Sequence, residues 1–193
     1  MHTVFLNGGI LRRLHAGDMA AFKAHLFRLD PASRHDRFSC AVSDAYLERH
    51  AGKFFGPGDV VYGFFVDAVL RGAGELRQTE APRLFRDGSA EAAFSVEKPW
   101  RRGGAGSALM ARIVRAAQNR RDRTLTMVCL AHNQPMQRLA RKFSADLSFE
   151  ADQITGRMVG LRVSIASLWR EAMDDAAGLA GSALRLRRCA VPA

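Results

Sequence analysis

The sequence predicts one α+β domain, residues 1–165, followed by a C-terminal helix and basic tail, residues 166–193. Three observations lead there. Runs rich in Val, Tyr and Phe alternate with stretches of helical periodicity. A strand, a glycine-rich turn and a helix follow one another around residue 104. Near the end, an amphipathic segment differs in character from everything before it. With 193 residues, 48% hydrophobic and 25% charged, the chain has the composition of a folded soluble protein, which excludes general disorder. A chain this long buries roughly two-thirds of its surface without a disulfide or metal staple. Cys40, Cys129 and Cys189 are far apart and odd in number, which excludes a disulfide framework and CxxC patterns and suits a reducing cytosol. The longest apolar stretch, residues 60–70, contains Asp67 and is too short to span a bilayer. The first residues lack the basic and then apolar pattern of a secretory signal. A cytoplasmic protein without a membrane partner is expected.

Residues 10–14 can start a strand. Asp18 can cap a helix running to Leu29, stopped by Asp30-Pro31. Ser43 is a second N-cap, with Tyr46, Leu47 and His50 on one helical face up to Gly52. Gly56-Pro57-Gly58 marks a turn before a strand at 59–68. A neighbouring strand at 69–78 contains Gly72 and Gly74, signs of a bulge or tight connection. Asp87-Gly88-Ser89 is a turn and 90–96 a short strand. Gly103-Gly104-Ala105-Gly106 then opens a helix carrying Leu109, Ile113, Val114 and Ala117 at helical spacing. Residues 125–131 form a continuous apolar strand, expected to be buried on both faces. Asn133 caps the next helix, with Pro135 in its first turn. Strands at 146–150 and 157–165 follow. In the last helix Leu168, Trp169, Ala172, Met173 and Ala176 share one face, which should pack on the domain or in a homodimer. Beyond Gly178 the basic tail, with Arg185, Arg187 and Arg188, is expected to fray.

The net charge is +10. Residues 100–142 hold ten Lys or Arg and one acid, a net +9, so a focused field for a polyanionic ligand is expected there. A solvated basic helix face is the simpler role for any single arginine. Nucleic acid ranks last as a partner, because no helix-turn-helix or RNP signature is present and few aromatics accompany the arginines. The histidines show no HxxH or HxxxH spacing, so no metal is expected.

The glycine-rich turn is not a P-loop, since no Gly-Lys-Ser/Thr follows, and Leu109 replaces the third glycine of a dinucleotide fingerprint. A capping turn without a ligand would also account for its glycines. However, Arg101-Arg102-Gly103-Gly104-Ala105-Gly106, placed between strand and helix, resembles the pyrophosphate loop of the GNAT superfamily of acyl-CoA-dependent N-acetyltransferases. Ala90-Glu91-x-Ala93-x-x-Val96, Trp100 and Asn133-x-Pro135-Met136-x-x-Leu139-Ala140 resemble the bacterial protein-lysine acetyltransferase branch. Asp30-Pro31-Ala32-Ser33-Arg34, followed by Arg37-Phe38, resembles the early helical region of that branch. The resemblance covers about residues 10–160.

That resemblance implies a mixed, mostly antiparallel twisted sheet flanked by helices, with acetyl-CoA as acyl donor and a primary amine as acceptor. It implies donor contacts at Phe94, Val96, Arg101, Arg102, Gly103, Gly104, Ala105, Gly106, Ser107, Asn133 and Met136. A protonated amine must lose a proton before it attacks a thioester, and a carboxylate can take it. Strand periodicity puts Glu91, Ala93, Ser95 and Glu97 on one face. The resemblance favours Glu91 as base, ten residues before Arg101, with Glu97 as the alternative; either could be a solvated strand residue. Ala140 stands where many members carry a thiolate-protonating Tyr, Ser144-Ala145 replaces a usual Gly-Phe, and Arg102 replaces a common Gly. Asn133 can be a plain N-cap or also touch the pantetheine arm, and Cys129 fits a buried strand position. The acceptor can be a protein lysine or a small amine, and Tyr62, Phe64 and Phe65 can be core or pocket wall. A non-catalytic acyl-CoA-sensing or interaction module is the remaining alternative.

Overall fold

A computed structural model of the protein describes residues 8–53, 58–80 and 87–189, with side chains through residue 177. The strands are β1 (Ile10–Arg13), β2 (Val60–Val66), β3 (Val69–Glu80), β4 (Gly88–Val96), β5 (Asp122–Leu130), β6 (Asp146–Glu150) and β7 (Gln153–Val159). They form one sheet in the order β1-β2-β3-β4-β5-β7-β6. Among the described residues, only β4 and β5 pair in parallel. The helices are α1 (Met19–Arg28), α2 (Pro31–Phe38), α3 (Asp44–Gly52), α4 (Ala105–Asn119), α5 (Gln134–Lys142) and α6 (Ile165–Cys189). This is the expected α+β architecture. Among the described residues, no helix is long and apolar enough to cross a membrane.

Two cores lie on opposite faces of the sheet. Tyr62, Phe64, Leu76 and Ala92 pack with Leu109, Met110 and Ile113 of α4. Val61, Phe65, Leu70 and Ala73 pack with Phe22 and Leu26 of α1 and Leu47 of α3. Alternating side chains of β2 therefore enter different cores, and the whole strand is buried. The aromatic trio of β2 is core, not pocket wall. The β2–β3 hairpin turns through Asp67 and Ala68, both at positive φ, as a tight two-residue connection requires.

Asp30-Pro31 both ends one helix and begins another. A residue before proline is driven from the α region, and Asp30 sits at φ −66, ψ 161. Its carboxylate then accepts from the Ser33 backbone N–H, and Pro31 enters α2 where no N–H is needed. The stretch whose resemblance implies an early helical region is thus α2, begun by the same Asp30-Pro31 that stops α1.

Several expectations are corrected. Gly88 and Ser89 belong to β4, not to a turn. β7 begins at Gln153, ahead of the expected strand. β5 is buried on one face only: Leu125, Met127 and Cys129 are buried, while Val128 is exposed. The Gly56-Pro57 part of the expected turn lies outside the described residues. The last helix continues past Gly178 to Cys189 instead of fraying. It packs on β1 and α4, but through its polar face. Glu171 accepts from the Tyr62 hydroxyl at 3.1 Å and from Arg120 and Asn119. Asp174 pairs with Arg112 and Arg115. The expected apolar stripe points outward, with Trp169 67% exposed. The arginines of α4 decide this: they need counterions more than the small stripe needs cover.

Candidate active site

The site begins where the sheet forks. Among the described residues, β4 pairs with β5 only from Gly88 opposite Asp122 to Glu91 opposite Thr126. β5 stays paired to β7 as far as Leu130, so residues 92–96 of β4 lose their partner on that side. A cavity of about 600 Å³ occupies the opening, within the usual range for small-molecule sites. The lining comes from β4 (Phe94, Ser95, Val96), α2 (Ser33, Asp36, Arg37), the loop before α4, and α5.

The loop is shaped for an anion. Gly104 takes φ 86 at the N-cap of α4, which has no side-chain cap there. The first amide N–H groups of α4 are therefore without intrahelical partners at a positive dipole end. Gly104, Gly106 and Ser107 line the cavity, whereas Ala105 is buried. A Cβ at Gly106 would meet only Leu139 Cδ2, at 3.9 Å, so the protein itself does not demand glycine there. Arg102 sits at φ 62, a conformation that favours glycine. Arg101 is partly committed: Nε donates to the Val96 carbonyl at 2.9 Å and Nη2 to Ser33 Oγ at 2.7 Å, tying the loop to β4 and α2. Asn133 accepts from the Met136 N–H at 3.2 Å as a helix cap and also lines the cavity beside Met136.

The basic segment divides. Arg101, Arg102, Arg138 and Lys142 line the cavity. Arg112 and Arg115 pair with Asp174, Arg120 with Glu171, and Arg121 and Arg123 with Asp87. The field at the cavity is thus weaker than the segment's net charge suggests, but it is focused where the helix dipole adds to it.

Glu91 stands at the apex of the fork, exposed, and does not line the cavity. Glu97 does not line it either. Its Oε1 lies 3.1 Å from His25 Nδ1 and 2.9 Å from Arg28 Nε, and its Oε2 lies 3.1 Å from an Arg71 Nη. A register shift opposite Phe64 and Phe65 makes Arg71 the extra residue of β3. Burial alone would raise the Glu97 pKa, but hydrogen bonds from His25, Arg28 and Arg71 outweigh it and hold the group low. Glu97 is consequently an anchor, poorly suited to take a proton from an amine. His25 is fully buried, and its other nitrogen, Nε2, lies 2.9 Å from Ser95 Oγ. Burial lowers the His25 pKa, against the opposing pull of Glu97. Sequence spacing gave no signal for this network, since its members are about 70 residues apart and His25 looks like an ordinary helix residue. Cys129 is buried, and burial followed by the Asp36 charge raises its thiol pKa. His35, Asp36 and His132 also meet at the cavity edge, with ligand-type atoms within 4.8 Å of one another. The His132–Asp36 hydrogen bond of 2.8 Å and stacked imidazoles account for that contact.

Residues 25–144 match the acetyltransferase (GNAT) family. No curated protein sequence matches the chain. Among solved structures, the chain is similar to the GNAT domain of S. lividans PAT, with 18% identity and a TM-score of 0.66 over 78% of this chain and 90% of that one. It is similar to the ribosomal-protein-alanine N-acetyltransferase of Brucella melitensis, at 16% identity and a TM-score of 0.61 over 78% and 99%. It is also similar to yncA from Salmonella typhimurium, solved with its cofactor acetyl-CoA, at 16% identity and a TM-score of 0.60 over 82% and 97%.

Proposed function

Because the chain belongs to the acetyltransferase (GNAT) family, we propose that it transfers the acetyl group of acetyl-CoA to a lysine side chain of a protein. The carrying observation is the forked cavity, where the free edge of β4 meets the uncapped start of α4. A donor lying there would place its pyrophosphate at the amides of residues 104–107, beside Arg102 and Lys142. Its pantetheine would run along Phe94 and Val96 toward Asn133 and Met136. Glu91, at the fork apex, is the base that frees the lysine ammonium of its first proton, directly or through water.

Two observations support a protein acceptor over a small amine. The Asn-x-Pro-Met segment with Ala140 resembles the protein-acetylating branch. The aromatic residues that would wall a closed apolar pocket, Tyr62, Phe64 and Phe65, are consumed by the cores. Incubation with acetyl-CoA and a cell lysate should yield new acetyl-lysine above the uncatalysed background by mass spectrometry. Glu91→Gln should slow turnover roughly 10²–10⁴-fold with acetyl-CoA affinity nearly unchanged. Efficient acetylation of a free amine or amino acid with no new acetyl-lysine would replace the protein acceptor by a small molecule.

A further inference from the structure

Acyl transfer to an amine moves two protons, and Glu91 serves only the first. When the neutral amine attacks the thioester carbonyl, the nitrogen of the tetrahedral intermediate carries a surplus proton. The departing sulfur, an alkanethiolate, needs one. Among the described cavity-lining side chains, Ser95 is the one hydroxyl backed by an imidazole and a carboxylate. We propose that Ser95, His25 and Glu97 form a relay that carries this second proton from the intermediate's nitrogen to the leaving sulfur of CoA. The inference rests on the acetyl-transfer reading above.

The geometry fixes the direction of the resting hydrogen bonds. Glu97 is a carboxylate held by Arg28 and Arg71, so it can only accept, and the proton of neutral His25 must sit on Nδ1. Nε2 is then an acceptor, and the Ser95 O–H donates to it across 2.9 Å. The hydroxyl's lone pairs remain for an N–H in the cavity. This is the arrangement by which a serine hydroxyl is paired to a base that is oriented by a third group. The charged groups facing His25 are Glu97, Arg28 on its own helix, and Glu75 on β3. Arg71 reaches the far oxygen of Glu97. The arginines offset the carboxylate, and burial keeps the imidazole neutral at rest, ready to accept.

The step balances. The N–H bond of the intermediate breaks as Ser95 Oγ takes that proton, and the hydroxyl's own proton passes to His25 Nε2. The C–S bond then breaks, the carbonyl re-forms, and the imidazolium returns its proton through Ser95 to the sulfur. Amine and thioester become amide and thiol, Glu97 stays ionised, and no further reactant is consumed. Ser95 is the catalytic residue, and His25 and Glu97 act through it.

The test uses the full chain, acetyl-CoA and the best acceptor from the lysate or an amine panel, reading CoA thiol release. Ser95→Ala should lower kcat on the order of 10²-fold, with calorimetric affinity for CoA within about twofold of wild type. Ser95→Thr, which keeps the hydroxyl, should retain most of the rate. In mixed H₂O and D₂O the wild-type rate should bow with deuterium fraction, as two protons in flight require, and the response should become linear in Ser95→Ala. His25→Gln should bind CoA, turn over slowly and lose the acid limb of the kcat–pH profile. A wild-type-like rate in Ser95→Ala overturns the relay alone, as does acetyl-Ser95 in the intact protein, which would make Ser95 a nucleophile. Wild type inactive toward every amine overturns the acetyl-transfer reading with it.

Discussion

Replacing Glu75 by Gln tests whether one buried carboxylate holds the roof of the cavity. Glu75 is 1% exposed. It accepts from Arg37 Nη2 at 2.6 Å, and its other oxygen lies 3.0 Å from His50 Nε2 and 3.2 Å from Arg77 Nη2. Burial by itself would raise its pKa; the Arg37 charge, His50 and Arg77 outweigh that and hold it well below the usual carboxylate range. Removing one partner of a buried pair costs about 3–5 kcal/mol. Gln keeps an acceptor oxygen and Arg77 is partly in water, so the lower end applies, about 3 kcal/mol. At roughly 2–4 °C per kcal/mol for a chain this long, Tm should fall by about 6–12 °C, measured by calorimetry at neutral pH. Because Arg37 lines the cavity from α2, acetyl-CoA affinity should fall as well. Glu48→Gln, in the exposed pair with Lys23, is the control and should change stability by under about 1 kcal/mol. A group with a depressed folded pKa stabilises fully above its unfolded value, about 4.3 for Glu, and that stabilisation is lost as pH falls toward the folded value. The gap between wild type and Glu75→Gln should therefore shrink below about pH 4. A neutral-pH Tm change under about 2 °C, or a gap that persists in acid, would refute the reasoning.

Two further outcomes follow from the structure. Gly104→Asp, placing an anion and a strained φ at the start of α4, should abolish most acetyl-CoA binding in calorimetry, whereas Gly106→Ala, which meets no backbone and adds a better helix former, should not lower Tm, so that any loss of binding reports on the ligand. Glu171→Ala should lower Tm because it strips partners from Tyr62, Asn119 and Arg120, at about 1–3 kcal/mol for the groups left unpaired; Trp169→Ala should change stability by under about 0.5 kcal/mol.

What could be read from the sequence was local. The glycine turn, the caps at Ser43 and Asn133 and the Val-, Tyr- and Phe-rich run of β2 each lie within a few residues, where chain geometry follows from residue type. The fork was not legible, because it depends on where β4 and β5 stop pairing, a property of two strands 34 residues apart. The Ser95–His25–Glu97 network and the grip on Glu75 were hidden for a related reason: each joins groups from separate elements, and an isolated Glu in a strand looks solvated. α6 misled in another way. Its apolar stripe was plain, but the face it buries was set by Arg112 and Arg115 on α4 and Arg120 just after it, which attract Glu171 and Asp174.

The fork makes the substrate part of the architecture. With β4 and β5 joined over so short a seam, β4 beyond Glu91 presents toward the cavity an edge that no strand among the described residues covers. An acyl donor rich in amide groups could act there as a surrogate strand, extending the sheet by backbone hydrogen bonds. A donor bound in that way would tie the two wings of the sheet together at the place where an acceptor must find a fixed target.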